Sequence, residues 1–157
     1  MMVRCLLAVI GVVLTSTLSW AQHAASNGVR TLSPSGMFKV EGAWSLGVRA
    51  GDFVFLSGMP GIDPATNKMV ADPEAQVRQA FLNIKRMIES EGASLQHCVK
   101  LTVYLGDLNR FAAIVDKVET ELWGSPPYPP RTLIEVQRLF DGMIVEVDSV
   151  FYAPPKK

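Results

Sequence analysis

The chain has 157 residues, 48% of them hydrophobic, with 15 basic side chains balancing 15 acidic ones. That length and apolar fraction fit one ordinary globular domain. The balanced charge, without a basic block, lacks the electrostatic footprint of a nucleic-acid binder, and the two isolated His are not spaced as metal ligands.

The chain opens on a short segment with one positive charge at Arg4, then the apolar run CLLAVIGVVL, then Ser19-Trp20-Ala21 with small residues at the two positions a signal peptidase reads. This is the grammar of a secretory signal, and the apolar run falls short of the roughly 20 residues that span a bilayer. Residues 1–21 are therefore expected to be a signal peptide cleaved after Ala21. The product would be secreted or periplasmic, with no membrane attachment after cleavage; an uncleaved anchor is the alternative. Cys5 starts the apolar run rather than ending it, which does not suit a lipoprotein cysteine. Cleavage leaves Cys98 as the lone thiol, so stability must come from the core or from oligomerisation.

Residues 22–37 are small and polar and read as a flexible lead-in to a domain over 38–153. Residues 38–48 alternate loosely and predict a first strand. Gly51-Asp52 turns, and FVFLSG predicts a second strand. GIDPATNK, from Gly61, is dense in turn formers. Asp72-Pro73-Glu74 starts a helix: Asp72 caps, Pro73 suits the first turn and Glu74 complements the dipole. Val77, Phe81, Ile84 and Ile88 share one helical face, and Gly92 ends it. Residues 98–105 alternate Val99, Leu101, Val103 and Leu105 with Lys100, Thr102 and Tyr104, a half-buried strand. Asp107 caps a second helix with an apolar stripe of Phe111, Ile114, Val115, Val118 and Leu122, closed by Gly124. Both stripes read as core packing against a sheet.

A proline loop at 125–130 leads into strands predicted over 131–140 and 143–152, joined by the hairpin signal Asp141-Gly142. Residues 154–157 form a short tail. The order is strand, strand, helix, strand, helix, strand, strand. It predicts an α+β two-layer sandwich, with two helices on one face of a single sheet. Phe53, Phe55, Leu133 and Ile144 cannot all lie under the helices, so the other sheet face is expected to close against copies of the chain.

Two polar residues are candidates for chemistry. Arg131 follows the stretch PPYPP, whose fixed φ angles lower the entropy of holding it, and guanidinium grips a carboxylate bidentately. The plainer alternative is a rim arginine in a solvated loop. Glu146 sits mid-strand within VEVD and either points to water or is held for use. With Asp141-Gly142 as a two-residue turn, Glu146 would lie opposite Gln137, and Arg131 would be roughly 20 Å further along its strand. The two would then meet only through a neighbouring subunit. Asp52 and Asp63 read as turn residues. His97 and Cys98 point to opposite strand faces, against a Cys–His nucleophile. Ser57 lacks a nucleophile elbow, and there is no phosphate loop.

GAWSLGVRAGDFVFLSGMPGIDP, YPPRTLIEVQRL and VEVDSV together resemble the Rid (YjgF-type) imine/enamine deaminases, over about Gly42 to Phe151. The resemblance implies a chorismate-mutase-like fold with a mixed sheet, a homotrimer with clefts between subunits, and no cofactor or metal. It implies hydrolysis of 2-imino or 2-enamine acids to 2-oxo acids and ammonia. Carried onto this chain, Arg131 would hold the substrate carboxylate, and Glu146 would position and polarise the attacking water. Gly58 and Leu133 would offer backbone contacts with Ser57 beside them. Trp44 would lid the cleft in place of a tyrosine, Leu133 stands where cysteine is common, and Val115 stands where an asparagine often lines the cleft. These departures favour a bulkier or less polar substrate. A non-catalytic trimer that binds a small carboxylate or a protein partner is the alternative from a different class.

Overall fold

The structure, a computed structural model, describes residues 27–154; the expected signal peptide, the start of the lead-in and the last three residues of the tail lie outside them. Eight strands and two α-helices follow in the order β1 (Val29–Thr31), β2 (Gly47–Ala50), β3 (Phe53–Pro60), β4 (Ile62–Asp63), β5 (Lys68–Met69), α1 (Pro73–Ser90), β6 (Cys98–Leu105), α2 (Leu108–Trp123), β7 (Arg131–Glu135) and β8 (Val145–Tyr152). Six of the strands form one sheet in the order β1-β2-β3-β8-β6-β7, while β4 and β5 make a small separate hairpin. Only β6 and β7 run parallel, so the sheet is mixed. The helices pack against β3, β8, β6 and β7 from one side, which makes an α+β two-layer domain.

The helices form where their caps and stripes predict. Asp72 accepts from the Ala75 backbone N–H at 2.9 Å and Asp107 from that of Arg110 at 3.0 Å. Each satisfies a donor that the first turn leaves unpaired. Val77, Phe81, Ile84 and Ile88 of α1 are fully buried, as are Val115 and Val118 of α2. Gly92 and Gly124 end the helices at φ of 79° and 80°, where a side chain would be strained.

Four expectations need correction. Residues 38–46 do not form a strand. Gly42 sits at φ 112°, which breaks an extended run, and the segment folds so that Phe38 and Leu46 are buried while Trp44 stands 44% exposed. The lead-in is partly ordered: Val29–Thr31 pairs with β2, and Leu32 enters the core. Val99 is exposed rather than buried, because a bulge between Cys98 and Lys100 shifts the alternation by one residue.

The fourth correction concerns the closing hairpin. Asp141 and Gly142 do form a tight turn, with φ of 34° and 77° and the Met143 N–H donating to the Phe140 carbonyl at 2.8 Å. Yet the turn joins no paired strands. β7 ends at Glu135 and lies parallel to β6 at the sheet edge, and β8 enters between β3 and β6. A parallel neighbour needs a long crossover, here α2, and the chain must then return over the end of β6. Glu146 therefore opposes Pro60 and Tyr104, not Gln137.

Two buried amides of α1 tie the outlying segments to this frame. Asn83 donates to the Pro60 and Ile62 carbonyls at 3.0 and 2.8 Å. Gln76 donates to the Val70 and Gly142 carbonyls and accepts from the Ile144 N–H at 2.7 Å. Substituting Asn83→Leu removes both donations at a buried position, and should cost about 2–3 kcal/mol in urea unfolding.

Candidate functional site

Glu146 lies on the sheet face away from the helices, together with Tyr104 and Asp148, whose side chains share a 2.9 Å hydrogen bond. Its seat is made by β3. Between Leu56 and Met59 the β3–β8 register slips, so Ser57 and Gly58 together oppose Asp148 in a bulge. The Glu146 carboxylate rests directly on Gly58: a Cβ there would come within 1.7 Å of Oε1 and 2.5 Å of Cδ. Any other residue would push the carboxylate out of place. Ser57 is pinned by its hydroxyl, which donates to the Ser45 carbonyl at 2.5 Å.

Among the described residues no donor reaches the Glu146 carboxylate. Its pKa is raised, first because half-burial penalises the charged form and then because Asp148 repels it. An unpartnered carboxylate pushed toward neutrality is poised to exchange a proton with something in the cleft.

That cleft encloses about 740 Å³. Glu146, Ser57, Gly58 and Trp44 line it, so four of the seven sequence-predicted site residues meet here. The rest of its wall is largely apolar: Phe38, Ile62, Met69, Phe140 and Met143, with Lys39, Glu41 and Asp141 among the polar residues. Phe140 is 80% exposed on the loop that Gln76 holds. None of these apolar residues was singled out from sequence, because their convergence depends on β8 entering the middle of the sheet.

Arg131 is elsewhere. In the parallel ladder it pairs with Leu101, and Leu133 pairs with Val103. Leu101 and Val103 are buried beneath the helices, so Arg131 and Leu133 share the helix-covered face, opposite to Glu146. The two candidates cannot meet within one chain, but the reason is sheet face rather than distance along a hairpin. Arg131 donates from Nη1 to Glu119 at 2.5 Å and from Nη2 to Asp116 at 2.6 Å. With Tyr128, Pro129 and Thr120 these residues line a second, smaller cleft of about 300 Å³. Leu133 is half-buried against the core, and Val115 is fully buried; neither lines either of these two clefts.

Burial raises the Glu119 carboxyl above its usual range, and Arg131 opposes that shift. Sequence offers one trace of this pair: Glu119 interrupts the apolar stripe one turn after Val115, where a charge needs a partner. Replacing Arg131 by Ala leaves the buried carboxylate without its cation. A carboxyl with a raised folded pKa binds more protons folded than unfolded, so its penalty is largest at high pH and fades as pH falls through the folded value. Arg131→Ala should lose on the order of 3 kcal/mol of stability near pH 8. The deficit should shrink clearly by about pH 5; an equal loss at both pH values would reject this account.

Comparison with known proteins places the chain in a family. The family model described as Endoribonuclease L-PSP matches residues 35–152. A RutC family protein of Pyrococcus horikoshii is 38% identical over 112 residues, covering 71% of this chain and 87% of that protein. A 2-iminobutanoate/2-iminopropanoate deaminase of Dermatophagoides farinae is 36% identical over 110 residues, covering 69% and 84%. The structure of a probable translation initiation inhibitor from Rhodopseudomonas palustris superposes with a TM-score of 0.77 at 42% identity, covering 80% of this chain and 98% of that one. With its mixed sheet, its two helices and a family match over residues 35–152, the chain belongs to the Rid/YjgF family, whose model carries the description Endoribonuclease L-PSP.

Proposed function

We propose that the chain is a cofactor-independent deaminase that hydrolyses 2-imino or 2-enamine acids to 2-oxo acids and ammonia, at a site completed between subunits of a homotrimer. The observation that carries the reading is the unpartnered Glu146 carboxylate seated on Gly58 in a cleft of about 740 Å³. The relatives named as imine deaminases support it.

In this reading Arg131 grips the substrate carboxylate, and a second subunit brings its Glu146 to the reacting carbon. Glu146 accepts a proton from water as the water oxygen attacks the electrophilic C=N carbon. The tetrahedral adduct carries the former imine nitrogen. Return of that proton to the nitrogen gives a neutral carbinolamine; transfer of the hydroxyl proton to the same nitrogen then breaks the C–N bond, and ammonia leaves as the C=O bond forms. An imine carbon is already electrophilic, so placement of the water supplies most of the acceleration. The shape of the cleft adds a preference. Phe38, Trp44, Met69 and Phe140 form an apolar enclosure far larger than a methyl or ethyl group needs, which favours substrates with bulky apolar side chains.

Export through a cleaved signal at residues 1–21 belongs to the same reading, and the mass of the mature chain from a periplasmic fraction checks it.

Turnover is tested with imino acids generated enzymatically in situ. Glu146→Gln should slow ammonia release by about 100-fold or more. Arg131→Ala should abolish saturable turnover. If wild type accelerates no imino acid above buffer, the reading yields to a non-catalytic carboxylate-binding module; a monomer in solution sinks the shared site in both. The acid limb of the pH–rate profile should move to lower pH in Asp148→Asn, because that change removes a like charge that raises Glu146.

A further inference from the structure

Arg131 is already engaged by two carboxylates of its own chain, and the two are not equivalent. Glu119 has a side chain only 6% exposed, whereas that of Asp116 is 60% exposed. A buried carboxylate that leaves its arginine stays behind as an uncompensated charge in a poorly solvated place, at high cost. An exposed carboxylate that leaves turns to water and loses little. Glu119 is thus a fixed mount, and Asp116 is a displaceable one.

The guanidinium has two edges on which a carboxylate can sit with paired hydrogen bonds, Nη1–Nη2 and Nε–Nη2. Glu119 holds Nη1 and Asp116 holds Nη2. Nη2 belongs to both edges, so neither edge keeps both nitrogens uncommitted. Release of Asp116 alone restores the Nε–Nη2 edge while Glu119 keeps the group aimed. The cleft around the pair, bordered by Tyr128, Pro129 and Thr120, leaves room for that exchange.

We infer that Asp116 is a specificity-determining residue that occupies the anion position on Arg131 and is displaced by the carboxylate of an incoming substrate. The inference rests on the proposed carboxylate-binding role of Arg131. Its consequence is a threshold. A ligand gains the arginine only by offering a carboxylate that outcompetes Asp116 on the same nitrogen, so uncharged imines and weak anions are held back. Affinity for small monocarboxylates is correspondingly lowered by the internal competitor.

The test uses the whole mature protein and stable product-like probes. Pyruvate and 2-oxobutanoate are titrated calorimetrically into wild type, Asp116→Asn, Asp116→Ala and Arg131→Lys, with pyruvamide as an uncharged control. Loss of an exposed competitor should tighten carboxylate binding about threefold to fivefold. Pyruvamide should not share the gain, and with imino acid substrates the change should fall on KM. Unchanged or weakened carboxylate binding in both Asp116 variants, with wild type binding through Arg131, overturns the inference. Equal binding by wild type and Arg131→Lys instead removes the bidentate grip itself, and the proposed role of Arg131 fails with it.

Discussion

The structure depends on the insertion of β8 between β3 and β6. The last strand of the chain is the centre of the sheet, with a ladder on each side. Val145, Val147 and Phe151 on one face are fully buried under the helices. The alternate residues Glu146 and Asp148 therefore have to face the other way, since successive side chains of a strand point to opposite faces. Pairing with β3 sets Glu146 opposite Pro60, beside the Ser57–Gly58 bulge, and pairing with β6 sets it opposite Tyr104, whose hydroxyl donates to Asp148. A slip of one residue on either side would bury two carboxylates and expose the core. The position of Glu146 is thus fixed by apolar burial on the opposite face, with no hydrogen bond needed to hold it.

The same insertion separates the charges. With β8 and β6 in the middle, β7 is driven to the edge, and its parallel register with β6 puts Arg131 on the helix side. Burial then divides the acidic residues into two kinds. Glu119 is buried and paired, and its carboxylate and Arg131 need each other. Glu146 is half-buried and unpaired, held near Asp148 in a setting that disfavours its charged form. The two carboxylates thus differ in partner as well as in depth.

The sequence shows its helices plainly because their determinants are local. Asp72 with Pro73, Asp107, Gly92 and Gly124 act within one turn of where they stand, and the stripes they bound are the buried ones. Asp141-Gly142 shows the limit of the same approach. Its turn chemistry is right, but a turn residue fixes only the local reversal, and which strands end up paired is settled by the crossover through α2. The bulges at Ser57–Gly58 and at Val99 are illegible for a related reason: each is a mismatch in length between two strands far apart in sequence. Arg131 after its prolines and Glu146 in mid-strand stand out from their own surroundings, and the resemblance of YPPRTLIEV and VEVDSV to a known family gave them their expected roles. It did not show that Asp116 and Glu119 hold the arginine, since Asp116 reads as an ordinary solvent-facing position of a helix.

The open sheet face connects these local facts to the proposed assembly. Phe53, Phe55 and Tyr152 stand there between 41% and 45% exposed, with Phe53 stacked edge-on to Tyr152 at 5.5 Å. Leu133, expected on that face, belongs to the helix side, and an aromatic cluster of the open face sits on β3 and β8 at one end of the sheet. Glu146, Asp148 and Tyr104 lie toward the other end. A face with an aromatic cluster at one end and an unpaired carboxylate at the other can pack against copies of itself only in part: the aromatic end loses by staying in water, and the carboxylate loses by being buried without a cation. In the proposed homotrimer the apolar ends would join the subunits and the acidic ends would stay open as clefts. In that proposal Arg131, at the edge strand, would approach such a cleft from a neighbouring subunit, and its mount on Glu119 would travel with it.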